Sequence, residues 1–374
     1  MKKRIMMTVA TMTLSMFGLY GCSSKSSLNA EVNNEEKIQI VCTTYPQYDW
    51  AKQVIGEEKD RFELVYLLEN GVDIHSYQPT AKDIAAIADS DLVIYIGGTS
   101  DTWVKDAVEQ SNNDQIKTIS LFEVLGDSVK EEEIIEGMQD DHSHEEDEHT
   151  HEEDGHSHEE YGHSHEEYGH NHEEDGHNHE EYGHNHEEDE HTNEEIEYDE
   201  HVWLSLKHAK TFVTEIEKAL ETVDSENASV YQENCDNYVE QLEHLDKQYE
   251  EMVESAKRST VLFADRFPFR YLVDDYGLNY YAAFPGCSAD TEASFETIIF
   301  LAEKLKEENL PVVFVLENSD TKIADTVINN TKEKNQQILT INSIQSISSR
   351  EIEDGFSYLS AMEKNLEVLN QALN

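Results

Sequence analysis

The chain has 374 residues, enough for one large domain or two ordinary ones, and its 81 Asp and Glu against 27 Lys and Arg give a formal net charge of −54. That sign argues against nucleic acid, whose phosphates demand basic partners, and against a surface held to anionic lipid by basic patches. Divalent cations are the natural counter-charge. The acidity is concentrated: no Lys or Arg lies between Lys130 and Lys207, and fifteen of the nineteen His fall in residues 142–191.

The N-terminus reads as a targeting segment over residues 1–21. A basic "MKKR" precedes the apolar "IMMTVATMTLSMFG", which is short for a membrane span. "LYGC" then resembles a bacterial lipobox, in which Cys22 would be acylated and become the mature terminus; a plain secretory signal is the alternative. The polar run that completes 22–36 suits a tether between bilayer and fold. Three other cysteines, Cys42, Cys235 and Cys287, show no C-x-x-C spacing and cannot all pair internally, so a disulfide framework is not expected.

From residue 37 strand and helix patterns alternate. "KIQIVCTT", "FELVYLL", "DLVIYIGG" and "IKTISLF" read as strands, with "YPQYDWAKQVIG" and "TAKDIAAIADS" as helices. Residues 204–257 lack Gly and Pro and carry heptad-like apolar spacing, predicting one or two long helices. The alternation resumes with strands "STVLFAD", "LNYYAAFP", "PVVFVLE" and "QQILTIN". The helices between them are "FPFRYLVDDYG", "TEASFETIIFLAEKLKEEN" and "TKIADTVINNTK", and an amphipathic helix closes the chain. Strands separated by helix-length segments imply βαβ units. The expected fold is α/β, with two lobes, each a mostly parallel four-stranded sheet flanked by helices, joined by a long helix, with a ligand cleft between them. The expected boundaries are an N-terminal lobe over 37–130 completed by 199–224, a linking helix over 225–258 and a C-terminal lobe over 259–374.

The insert at 131–198 is expected to be a disordered acidic loop. Repeats of H-x-H-E-E-[DY]-[EG] begin at His142, His149, His156, His163, His170, His177 and His184. Each has a second imidazole two residues on, at His144, His151, His158, His165, His172, His179 and His186, and a decayed copy starts at His191. The seven-residue period has no apolar seam, which excludes a coiled coil. Neutral imidazole beside carboxylate is a ligand set for zinc and its neighbours, but each site must be closed by bending the chain, so binding there is expected to be weak and multiple. An enzyme is not expected. H-E-x-x-H is absent, since H-E-E-D-E-H and H-E-E-D-G-H place their His five apart in Gly-broken sequence, and there is no P-loop, G-x-S-x-G or dinucleotide fingerprint.

Four His lie outside the tract. His208 and His244 fall in polar helical sequence and read as solvated, while His75 and His201 sit near ends of secondary elements, where a cleft ligand belongs. Their contexts, "GVDIHSYQPTAKD" and "DEHVWLSLKHA", resemble the two signatures of the zinc- and manganese-binding receptors of bacterial ABC importers, above all the high-affinity zinc-uptake type. Many such receptors carry a His-rich acidic loop where this chain has its repeats. The resemblance covers residues 37–374.

That resemblance implies two α/β lobes bridged by a rigid helix, with a metal buried in the interlobe cleft and His75 and His201 as ligands. It further implies a lipid-anchored, extracytoplasmic, monomeric receptor that delivers Zn²⁺ to an ABC permease. In the second half the pattern breaks. Arg266 aligns with the family's third ligand although guanidinium has no lone pair to give, so the neighbouring Asp265 is the substitute candidate. Asn342 aligns with the fourth ligand, Glu317 is another carboxylate candidate, and the role of Cys287 is open. The alternatives are a manganese receptor, a receptor that has lost its cleft site, and a metal-buffering or adhesin-like surface lipoprotein whose His tract is the main metal site.

Overall fold

A computed structural model describes residues 37–139, 197–288 and 292–374. The signal segment, Cys22, the tether and the repeats at 142–191 lie outside the described residues.

In the first lobe β1 (Ile38–Cys42), α1 (Tyr45–Ile55), β2 (Phe62–Tyr66), α2 (Ala81–Ala88), β3 (Leu92–Tyr95), α3 (Thr102–Gln110), β4 (Lys117–Ser120) and α4 (Leu121–Leu125) follow in sequence. The strands pair in parallel in the order β2-β1-β3-β4. Two antiparallel helices come next, α5 (Leu206–Val223) and α6 (Ala228–Ser255). The second lobe repeats the plan with β5 (Thr260–Phe267), α7 (Arg270–Tyr276), β6 (Asn279–Pro285), α8 (Phe295–Glu307), β7 (Val312–Leu316), α9 (Lys322–Asn329), β8 (Gln337–Ile341), α10 (Ser349–Glu353) and α11 (Tyr358–Leu373). Its strands are also parallel, in the order β6-β5-β7-β8.

Strands covered by helices on both faces must be apolar throughout, and β3 and β7 are buried along their whole lengths. In β5 the alternation is visible: Val261 and Phe263 enter the large core shared with the first lobe, while Leu262 and Ala264 enter a smaller one beneath α8 and α9. In each sheet the strand order reverses beside the first strand, and a ligand crevice opens outside the carboxyl ends at such a point. The two crevices face each other.

The link is stiff. At 28 residues α6 spans about 42 Å and buries a stripe of Tyr231, Cys235, Tyr238, Leu242, Leu245, Tyr249 and Met252. Further contacts tie the lobes directly: Trp203 Nε1 donates to Ser343 O (2.8 Å), Tyr358 OH to Trp203 O (2.7 Å) and the Tyr358 amide to Asp49 Oδ2 (3.0 Å).

Two features depart from expectation. Helix α3 was not foreseen. The Gly- and Pro-free region, read as one helix or two, divides in two at Asp224, whose carboxylate accepts hydrogen bonds from Arg61, Asn227 and Tyr231. The base of the insert is also ordered on both sides. Glu131 and Tyr198 form an antiparallel bridge, the Glu132 amide donates to Glu197 O and the Asp199 amide to Lys130 O. Beyond this stem the chain runs on to Gln139, whose amide donates to Ala283 O of the second lobe at 2.9 Å.

Candidate metal centre

Every residue of the centre lies beyond the carboxyl end of a strand or at the stem of the insert. The turn after β2 carries His75. Asp73 caps that turn, its Oδ1 accepting from the His75 amide at 3.0 Å. From the stem comes His201, fully buried, with Asp199 Oδ1 accepting from both its amide (2.8 Å) and its Nδ1 (2.9 Å). Since Nδ1 carries the proton for Asp199, the lone pair of neutral His201 is on Nε2. That atom lies 3.2 Å from His75 Nε2 and 3.0 Å from Gln345 Oε1 of the second lobe.

Two imidazole nitrogens face each other here. A tetrahedral zinc ion with Zn–N bonds near 2.05 Å separates its nitrogen donors by about 3.3 Å, close to the observed gap. Each ring is also backed by a carboxylate on its Nδ1 side. His201 has Asp199; His75 has Glu200 Oε2 at 3.5 Å together with Ser100 Oγ at 2.9 Å. Such backing fixes the tautomer and raises the basicity of the metal-facing nitrogen. Glu200 Oε1 accepts from the Ser100 amide at 2.7 Å, while its buried Oε2 has no hydrogen-bond partner. Gly98 is required here, because a Cβ would stand 2.3 Å from Glu200 Oε1.

The electrostatics separate the two rings. Burial, reinforced by the neighbouring His201, pulls His75 down to about 3, so it presents a lone pair throughout the physiological range. Burial pulls His201 down too, but the Asp199 carboxylate outweighs it and holds the ring above its ordinary value. Burial raises Glu200 above the usual carboxylate range.

Among the described residues, the His, Cys, Asp and Glu ligand atoms that converge are those of His75, His201 and Cys287, all within 4.8 Å of one another. The other three sequence candidates are engaged elsewhere. Strand β5 is irregular between Phe263 and Arg266, and Asp265 mends the ladder there, its Oδ2 accepting from the Leu316 amide (3.0 Å) and its Oδ1 from the Arg266 amide (2.9 Å). Glu317 accepts from the amide and hydroxyl of Ser343. Asn342 closes a turn, its Oδ1 accepting from the Ile344 amide at 2.7 Å. Asp265 and Glu317 line a neighbouring cavity of about 740 Å³, whereas His75, Glu200 and Cys287 line one of about 290 Å³. His208, read as solvated, is instead half-buried against the Tyr271 ring, with centroids 5.3 Å apart.

Arg266 is paired rather than ligating: its Nη2 lies 2.7 Å from Asp73 Oδ2 across the cleft. Burial opposes the charge on Asp73, but the guanidinium outweighs it and holds the carboxyl below the usual range. Asp199 and Glu200 were within reach of sequence, standing beside His201 in "DEHVWL". Ser100 and Gln345 had no such signal, being ordinary polar residues brought in only by the fold.

Comparison with known proteins shows the family. A family model described as "Zinc-uptake complex component A periplasmic" matches residues 40–372. The high-affinity zinc uptake system protein ZnuA of Bacillus subtilis is 27% identical over 352 residues, covering 94% of this chain and 92% of its own. The zinc-binding protein AdcA of Streptococcus pyogenes is 27% identical over 369 residues, 99% of this chain but 61% of AdcA, so the chain spans about three fifths of that relative's length. The crystal structure of the Zn(II)-bound ZnuA-like domain of Streptococcus pneumoniae AdcA is 26% identical with a TM-score of 0.61, covering 90% of this chain and 99% of that one. The chain belongs to the family of the periplasmic component A of zinc-uptake complexes.

Proposed function

We propose that this protein is an extracytoplasmic receptor that captures one Zn²⁺ ion between its lobes and delivers it to an ABC-type permease. The carrying observation is the His75–His201 pair: two Nε2 atoms 3.2 Å apart, each ring backed by a carboxylate. Nitrogen donors at that spacing suit zinc better than manganese, which prefers oxygen. Membership of the zinc-uptake family supports the permease as recipient. The "LYGC" sequence supports anchoring through acylated Cys22 on the outer face of the cytoplasmic membrane.

The mechanism is binding, with no bond of a substrate made or broken. The ion sheds water as it enters between the rings, and the buried carboxylates compensate its charge. The 28-residue helix and the direct interlobe hydrogen bonds restrict wide hinge motion. Release therefore proceeds by small lobe shifts or local rearrangement of the His75 and Cys287 turns. The histidine repeats gather ions loosely and pass them on by mass action.

Excision of residues 142–191 tests the division of labour. After the cut, residues 140–141 and 192–196 remain to join Gln139 to Glu197. Calorimetry with zinc is expected to show one tight site in both proteins and loss of the weak, multiple phase in the shortened one. A shortened protein without a tight site would make the repeats the main metal site and the protein a buffer.

A further inference from the structure

The position that sequence alignment reserves for a third donor is filled by a guanidinium, which leaves open what completes the shell. Resting on the zinc-receptor reading, we propose that Cys287 supplies the third protein donor of the cleft, giving a two-nitrogen, one-sulfur site with His75 and His201.

Four observations support it. The thiol sulfur shares a sphere of 4.8 Å with ring nitrogens of both histidines. The turn that carries it is built to approach: a Cβ on Gly286 would stand 2.9 Å from Phe267 O and 3.1 Å from His201 Cε1, so glycine alone lets this turn close on the ring. The turn is also held from both sides. Glu132 Oε1, at the stem of the insert, accepts from the Cys287 amide at 2.9 Å, and Arg266 Nη1 donates to Ser288 O at 3.4 Å. Through its other nitrogen Arg266 grips Asp73, the cap of the His75 turn. The residue that displaced a ligand thus ties the two ligand-bearing turns together. Finally, Glu200 Oε2 is buried without a hydrogen bond in the same cavity, a compensating charge in place for a cation.

Thiolate is a preferred zinc ligand and a poor one for manganese or calcium, so this substitution narrows the site toward soft borderline metals. On ligation the S–H bond is broken, the sulfur lone pair goes to the metal and the proton passes to water. Burial, reinforced by Glu132, raises the thiol above its ordinary range.

Cadmium reports the bond directly, because its charge-transfer absorption in the ultraviolet arises from thiolate and not from imidazole. One equivalent of Cd²⁺ added to the full chain is expected to bind tightly with that band. Cys287→Ser is expected to abolish the band and weaken tight zinc binding by about a hundredfold or more, at least the cost of removing a group that only orients a ligand. Cys287→Asp, which restores a donor, is expected to recover tight binding without the band. One equivalent of zinc should also slow alkylation of Cys287, since Cys42 and Cys235 are buried. Tight binding without the band, unchanged in Cys287→Ser, would overturn the thiolate while leaving the receptor reading intact. Absence of any tight site in the unaltered protein would overturn both.

Discussion

Replacing His201 by Ala in the full chain is expected to lower the affinity of the tight zinc site on the order of a thousandfold, a loss of about 4 kcal/mol. His201 is fully buried and anchored at both ring nitrogens, by Asp199 on one side and by the facing His75 and Gln345 on the other. His75→Ala should behave alike, because its ring is the other half of the pair. Both losses exceed the ten- to hundredfold cost of removing a group that only orients a ligand. Competition with a zinc chelator measures the tight constant, and the weak phase from the repeats should persist in both variants. Retention of the tight constant in either would refute the assignment.

The largest structural effect is expected at Trp203. Its side chain is fully buried, its ring meets the His201 ring edge-to-face with centroids 5.3 Å apart, and its Nε1 reaches across to Ser343 O. Trp203→Ala should cost about 3–5 kcal/mol, as removal of large buried aromatics does. It would also leave the Ser343 carbonyl and one flank of His201 without support. In urea the midpoint should fall with the slope unchanged. Trp203→Phe keeps most of the packing and loses the hydrogen bond, so about 1 kcal/mol is expected, with zinc binding nearly preserved. An equal loss in both variants would mean that the indole hydrogen bond, and not the packing, holds the lobes at this point.

The architecture was legible because parallel strands buried on both faces announce themselves as short apolar runs, and all eight expected strands are present. For residues 204–257 the sequence allowed one helix or two, and what breaks them was not legible. Chains usually break helices with Gly or Pro, whereas here Asp224 does it by collecting three side-chain donors, from Arg61, Asn227 and Tyr231, two of them local and one from a distant turn. At the candidate centre the local words carry local contacts: "DIHS" and "DEHVW" hold each histidine with its own capping Asp. They failed in the second lobe, where position depends on how β5 and β6 register. The irregularity in β5 turns Asp265 to the sheet and Arg266 to Asp73. Cys287 then arrives from the end of β6, a different strand from the one the spacing suggested. No single-sequence pattern encodes that shift.

A crystal of the zinc-loaded protein, measured at the zinc absorption edge, tests the central claim most directly. One full-occupancy anomalous peak is expected between His75 Nε2 and His201 Nε2, at bonding distance from both. An empty cleft, with peaks only along the histidine repeats, would contradict it.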